Sequence, residues 1–288
     1  VSDKANLVLD DRDDVLALPS LGEILHVSLG YQETRLFKMG TYIVDEITCQ
    51  GLPRTMRIGA TASNSQLKTG FSGITAPKSR SWHDYTLVGI VHAIADEHQF
   101  KKVIVDKAFE QIYLGHLDQS DESDIAFLQR LANEMGGFVK PTHQYLCFAH
   151  KRRGVTLSGK SMPLLTVKPE EISNFNMQIA QRGKYGKVIA KWHNFDTGEE
   201  EHVSAGNGEP VFSMRQTYAT QDRAQRAAKA KYHDVVHGNK TLTLTTVGNP
   251  KLASETRLNV AGLSQKIDGN WIVTSITHQL GVRGYTSE

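Results

Sequence analysis

This chain is short of cysteine, of long apolar runs and of net charge, and each shortage excludes a class of protein. Two cysteines in 288 residues cannot staple a disulfide scaffold. Cys49 and Cys147 stand far apart with no metal-ligand spacing, so both are expected to be buried thiols in strands. No apolar stretch approaches the ~20 residues of a membrane-spanning helix, and no signal peptide is visible. The formal net charge is only +2, with positive side chains scattered except at Lys151-Arg152-Arg153 and at Arg223, Arg226, Lys229 and Lys231. Short runs in so balanced a chain read as solvated loop and helix faces rather than a nucleic-acid stripe. Hydrophobic residues at 39% and charged residues at 22% are ordinary globular usage, which excludes a disordered chain. The length implies two or three domains of about 100 residues, each able to bury a core.

What is present is alternation with a period of two. Up to Ala62, three sets fall on alternate positions: Leu25, Val27 and Leu29; Ile43, Ile47 and Cys49; and Met56, Ile58 and Ala60. Turns at Gly30, Gly40 and Gly51-Leu52-Pro53 punctuate them, the pattern of a meander of short antiparallel strands. A stretch from Ser63 to Ser79 leads into a helical island, and Lys151 to Lys160 leads out.

Within the island, Leu87, Ile90, Val91, Ile94 and Ala95 recur at helical spacing behind Asp84 and Thr86, either of which can cap. A helix is expected from about Leu87 to His98. A second is expected behind Ser120, with Asp121, Glu122 and Asp124 at its positive end. Ile125, Phe127, Leu128, Leu131 and Ala132 form its stripe and Gly136 its stop. Val103 to Val105, Ile112 to Leu114 and Tyr145 to Ala149 read as short strands. After Pro169 the alternation returns at Val188, Ala190 and Trp192, then at Val203, Leu242, Leu244, Leu258, Val260, Ile272 and Ile276. One helix interrupts it, capped by Thr220, striped by Ala224, Ala227, Ala228, Tyr232, Val235 and Val236, and ended by Gly238.

Several strings imitate reactive sites. Gly154-Val155-Thr156-Leu157-Ser158-Gly159-Lys160-Ser161 matches the phosphate-binding loop pattern, but Met162-Pro163 and an alternating run follow where a helix is needed. A flexible interdomain loop is the better reading. His233 and His237 stand one helical turn apart as in a metalloprotease helix, yet Asp234 replaces the longer Glu that activates water. Asp10, Asp11, Asp13 and Asp14 lack the spacing of a calcium loop and read as a strand-ending turn with Arg12 as counterion. His83, Asp84, Ser123 and Asp124 form a hydrolytic set only on paper, since no Gly-x-Ser-x-Gly elbow fixes a nucleophile. No catalytic, cofactor-binding or metal-binding residue is therefore assigned. The aromatic and aliphatic anchors are structural: Trp82, Leu87, Ile90, Phe127 and Leu131 in one core of the helical module, and Trp192 and Trp271 in the second β-rich half.

The wording of the island is more telling than its strings. Trp82-His83-Asp84-Tyr85-Thr86-Leu87, then His116 to Asp124, then Phe127-Leu128-Gln129-Arg130-Leu131-Ala132 resembles the phage late control D family. Leu9 to Asp13, Leu29-Gly30-Tyr31, Met39-Gly40, Gly269-Asn270-Trp271 and Val273 extend the resemblance over nearly the whole chain. It implies a mainly β fold with an α+β insert: two small β-barrel domains of tail hub type plus a two-helix module. The expected division is 1–79 for the first barrel, 80–153 for the insert and 154–288 for the second barrel, with a further strand ahead of Val1.

Further implications are a non-enzymatic baseplate hub of a contractile tail or prophage-derived injection device, without cofactor, and a homotrimeric ring between a sixfold tail tube protein and a threefold spike protein. Its place is the virion, with assembly in the host cytoplasm. The alternative is a tail protein that binds or degrades cell wall, because the insert loosely resembles peptidoglycan-binding modules. A third possibility, the spike of a type VI secretion machine, implies a repetitive C-terminal β-prism, which would here be a separate polypeptide.

Lys160→Ala and His233→Ala are accordingly expected to leave tail assembly and infectivity unchanged, with stability shifts within about 0.5 kcal/mol. Loss of infectivity in a variant that still folds would show that one of these strings is a working site.

Overall fold

The computed structural model describes residues 3–62, 72–142, 145–152, 154, 161–180, 185–237, 240–282 and 284–288. Among the described residues, about half lie in strands against four α-helices, which sets the class as mainly β, with a curled sheet of half-barrel form. Two compact units divide it: Val1–Leu128 with Val139–Ala149, and Gln129–Phe138 with His150–Glu288. Among the described residues, no helix is long and apolar enough to cross a membrane.

The first unit opens with β1 (Lys4–Asp10), β2 (Ile24–Leu29), β3 (Phe37–Gln50) and β4 (Thr55–Thr61), an antiparallel sheet in the order β1-β4-β3-β2. β3 carries a bulge between Val44 and Glu46 where it pairs with β4, and the β2–β3 register shifts between Val27 and Ser28. Each extra residue bends the strand and strengthens its twist. Two small cores result, one of Val44, Met56 and Ile58 with Leu7, Leu9 and Leu16, the other of Tyr42, Ala60 and Ala62 with Ala5, Leu25 and Val27.

Cys49 does not join them. Two residues before the Gly51–Arg54 turn, it lies exposed at the end of β3, whereas Cys147 is fully buried. Alternation alone places both thiols inside. The Cys147 thiol is pushed up to about 11 by burial.

The helical part follows as α1 (Ser72–Thr75), β5 (Pro77–Thr86), α2 (Leu87–Glu97), β6 (Lys102–Val105), β7 (Tyr113–Ser123), α3 (Asp124–Glu134), β8 (Gly137–Pro141) and β9 (Tyr145–His150). β5 pairs antiparallel with β7, and the second sheet has the order β6-β9-β8 with β6 parallel to β9. Thr86 caps α2 by accepting from the Gly89 amide at 3.1 Å, which satisfies one orphan donor of the first turn.

α3 starts later than its acidic run suggests. β7 continues through Ser120 to Ser123, and it is Ser123 Oγ that accepts from the Ala126 amide at 3.3 Å. Two features hold the acids in the ladder: Glu122 lies opposite Lys78 on β5, and the Asp121 amide donates to Ser79 Oγ at 3.0 Å. Gly136, at φ +67°, follows α3 in a left-handed conformation that glycine adopts without strain. Leu87, Ile90, Phe127 and Leu131 have no exposed surface, and Trp82, 5% exposed, stacks on Phe127 with ring centroids 6.0 Å apart.

The second unit contains β10 (Leu164–Val167), β11 (Ile172–Ile179), β12 (Lys187–Asn194), β13 (Glu199–Gly206), β14 (Val211–Tyr218), α4 (Gln221–His237), β15 (Lys240–Val247), β16 (Arg257–Val260), β17 (Gly269–Ile272), β18 (His278–Gly281) and β19 (Gly284–Ser287). Its sheets run β13-β12-β14, β10-β16-β17 and β11-β15-β19-β18. Thr220 caps α4, accepting from the Arg223 amide at 3.3 Å. Ala224, Ala227 and Ala228 then lie on Val188, Ala190, Val203, Ala205 and Tyr218, small side chains that let the helix approach the sheet closely. Trp192 packs half-buried against this cluster. Trp271 packs likewise against Val167, Leu252, Leu258, Val260 and Ile267, and its indole N–H donates to the Ile267 carbonyl at 2.9 Å.

Phe127→Ala removes one partner of the Trp82 stack and leaves a cavity, so a loss of about 3–5 kcal/mol is expected in urea unfolding, comparable to the whole stability of a small domain. Proteolysis of the variant should then begin within residues 80–150. A variant as resistant as the parent would mean that this helix face is not the core.

Candidate functional site

Among the described residues of the first unit, a dense polar cluster converges on one carboxylate. Asp124, the first residue of α3, has no exposed surface. Lys78 and Arg80 stand two residues apart on β5, so the strand period presents both on one face. Lys78 Nζ donates to Asp124 Oδ2 at 2.6 Å and Arg80 Nη2 to Oδ1 at 2.5 Å. Gln119, opposite Arg80 on β7, donates through Nε2 to Oδ1 at 2.8 Å. His98, just beyond α2 and 5% exposed, bonds Oδ2 through Nε2 at 2.7 Å.

Glu97, at the last turn of α2, accepts from Arg80 Nη1 at 2.8 Å and is paired with Lys78. The cluster is tied to the aromatic core as well. Arg80 lies 4.4 Å from the ring centre of Trp82, and Trp82 Nε1 donates to Gln119 Oε1 at 3.4 Å.

Burial pushes the Asp124 carboxyl up, but hydrogen bonds from His98, Gln119 and Lys78 and the charge of Arg80 outweigh it and hold the group far below the usual carboxylate range. Glu97 is held below its ordinary value in the same way, burial being outweighed by Lys78 and Arg80. Lys78 moves the other way: burial lowers it, and its bonds to Asp124 and Glu97 more than restore it. Two carboxylates and two cations thus form one charged arrangement.

Glu97, His98 and Asp124 place donor atoms within 4.8 Å of one another, near enough to grip a metal ion. Lys78 and Arg80 already occupy those carboxylates, and their two positive charges neutralise the set. A divalent ion would have to displace them and leave two half-buried cations uncompensated, so the donor set does not fit a metal. General acid chemistry fits no better, because an acid held far below its usual range and enclosed by four donors has no proton to give at neutral pH.

The strings that imitated reactive sites lie elsewhere. Ser123 caps α3, Asp124 sits in the network and His83 contacts His116 at the surface, so the paper hydrolytic set is not assembled. Residues 155–160 of the phosphate-loop string lie outside the described residues, and the segment after it forms β10 rather than a helix. Asp234 is paired with Arg152 at 3.0 Å, which engages the acid between the two histidines, and the side chain of His237 lies outside the description. Arg12 bonds Asp10 at 2.6 Å, while Arg54 bridges Asp11 at 2.9 Å and Asp14 at 2.5 Å. Lys78, Arg80, Glu97, His98 and Gln119 were not singled out by spacing. The signal they left was a pair of cations two residues apart within a strand, ahead of Trp82.

Residues 75–283 match the family described as phage tail baseplate hub (GPD). The probable baseplate hub protein of Escherichia phage P2 is 30% identical, over 99% of this chain and 83% of its own length. Among solved structures, a tail protein from Neisseria meningitidis superposes with a TM-score of 0.71 at 14% identity, covering 99% of this chain and 86% of that one. The c3393 protein of E. coli, described as a component of the type VI secretion system with structural similarity to T4 tail proteins gp27 and gp5, gives 0.57 at 13% identity over 99% and 68%. At such identities the two structures speak for the fold.

Removing the hub of the ionic network takes an acceptor from each of four donors around a fully buried position, and Asp124→Ala is expected to cost about 3–5 kcal/mol. The pH dependence has a definite sign. A carboxyl whose folded pKa is depressed stabilises fully above its unfolded value of about 4, and that stabilisation is lost as pH falls through the lower folded value. The gap in urea midpoint between parent and Asp124→Asn should therefore narrow on acidification from about pH 6 to about pH 2. A gap independent of pH would overturn the ionised assignment.

Proposed function

This chain belongs to the phage tail baseplate hub family, and from that premise we propose that three copies form a ring adapting a sixfold tail tube to a threefold spike. It is a baseplate hub protein and a component of the phage tail. The observation that carries the proposal is the correspondence with the phage P2 hub protein, which extends over 99% of this chain. Three chains of two β-rich units each offer six β-rich surfaces to a sixfold tube, while the symmetry of the ring remains threefold toward a trimeric spike. The partners are then the tail tube protein, the spike protein and two further copies of this chain, brought together in the host cytoplasm.

The role is non-enzymatic. A cell-wall hydrolase of the glycosidase type needs two accessible carboxyl groups, one of them protonated at working pH. The pairing of Glu97 and Asp124 with Lys78 and Arg80 supports the opposite use of acidic residues, as fixed charges that join elements.

A cryo-EM map of the parent particle is expected to contain three copies of this chain at the hub, and one or six copies would refute the ring. Zymography of the purified chain on cell-wall material is expected to give no cleared band. A cleared band would instead support the tail-associated hydrolase.

A further inference from the structure

A second cluster in the first unit has the opposite character, being exposed, acidic and open. On the outer face of the β5–β7 pair, His83 Nδ1 lies 3.0 Å from His116 Nδ1, with the rings tilted by 38°. His116 Nε2 is held by Asp118 at 3.2 to 3.3 Å, and Ser81 Oγ donates to Asp118 Oδ1 at 2.6 Å. The backbone brings the rings together. The ladder registers Trp82 with Leu117 and then shifts before Tyr85, Asp84 has φ +57° and Gly115 φ +65°. Asp84 accepts from Tyr113 Oη at 2.7 Å, which keeps a second carboxylate on this stretch of the pair.

We infer that His83 and His116 form a two-imidazole anchor for a borderline transition-metal ion such as Ni²⁺ or Zn²⁺, with Asp118 as the carboxylate that orients His116. Two nitrogens on one tetrahedral ion at about 2.0–2.1 Å stand roughly 3.3 Å apart, within a small ring rotation of the separation present. The tautomers follow from the bonds. His116 donates Nε2–H to Asp118, which leaves the Nδ1 lone pair free, so in the absence of an ion it is His83 that donates Nδ1–H to His116.

An ion takes the position of that proton, and the proton moves to Nε2 of His83. Both Nδ1 lone pairs then bind the ion and no net proton is released. A carboxylate behind a ligating histidine fixes its ring and raises its basicity, the arrangement that Asp118 and Ser81 supply. The remaining coordination positions face water. Asp84 and Asp118 give the site the negative charge that the Asp124 network lacks, and the inference is independent of the hub reading.

The test is calorimetric titration of the full chain with Ni²⁺, comparing the parent with His83→Ala, His116→Ala and Asp118→Asn. The parent is expected to show a saturable site that either histidine variant weakens at least about tenfold. Asp118→Asn should weaken it about 10-fold through the lost carboxylate charge behind His116. His26→Ala, an exposed histidine on β2 bonded to Thr41, should bind as the parent does. The substituted side chains are exposed, so circular dichroism is expected to show folded variants; if one fails to fold, His116→Gln takes its place. Parent-like affinity in both histidine variants, or no saturable site in the parent, would overturn the assignment.

Discussion

The first unit depends on one buried anion. Asp124 opens α3, where a negative charge complements the partial positive charge of the helix N-terminus. The same carboxylate receives donors from β5, from β7 and from the residue that follows α2, so one side chain fixes the mutual placement of two helices and a strand pair. Burying an ion is costly unless geometry and partners are both good. Here the cost is met locally: two cations answer two carboxylates, and Gln119 both donates to Asp124 and accepts from Arg80 and Trp82. The aromatic stack of Trp82 on Phe127 borders this network through Arg80, so apolar and ionic contacts support the same arrangement of elements.

The second unit packs its helix on its sheet mainly through small apolar side chains. Three alanines on α4 meet Val188, Ala190, Val203, Ala205 and Tyr218, a close contact of small side chains that needs neither cavity nor polar partner. Charge enters as a nearly buried pair: Arg223 bonds Glu134 at 2.8 Å and lies over the ring of Tyr218. Burial pushes the Tyr218 hydroxyl up to about 12, with Glu134 adding to the effect.

The elements whose signals are local were legible in the sequence. α2 and α4 have a hydroxyl cap and an apolar stripe within a dozen or so residues, and β2 and β4 follow their alternation, whereas Gly40, expected as a turn, lies within β3, whose alternation a bulge interrupts. The start of α3 was misread because Ser120 and the acids after it imitate a helix cap, while the bonds that keep them in β7 come from Ser79 and Lys78, some forty residues earlier. Cys49 was misplaced because alternation reports the face of a strand and not where its core ends. The two polar clusters were invisible for a related reason. Their members lie on different elements, as with Arg80 and Asp124 or His83 and His116, and only strand register brings them together.

Those two clusters draw on similar residue types, and what separates them is charge and access. Around Asp124, ammonium and guanidinium groups take the places a cation would need, and burial makes their displacement expensive, so the set is closed. Around His83 and His116, the neighbouring charges are carboxylates, and His116 is about half exposed, so a cation can approach without displacing another. Water screens the approach but leaves the ligand geometry intact. Donor proximity alone would choose the Glu97, His98 and Asp124 trio as the metal site, whereas the sum of charges within reach chooses the exposed pair. The same sum explains the structural use of the trio: a neutral, enclosed set gains nothing by binding an ion, and its stability resides in the joints it makes.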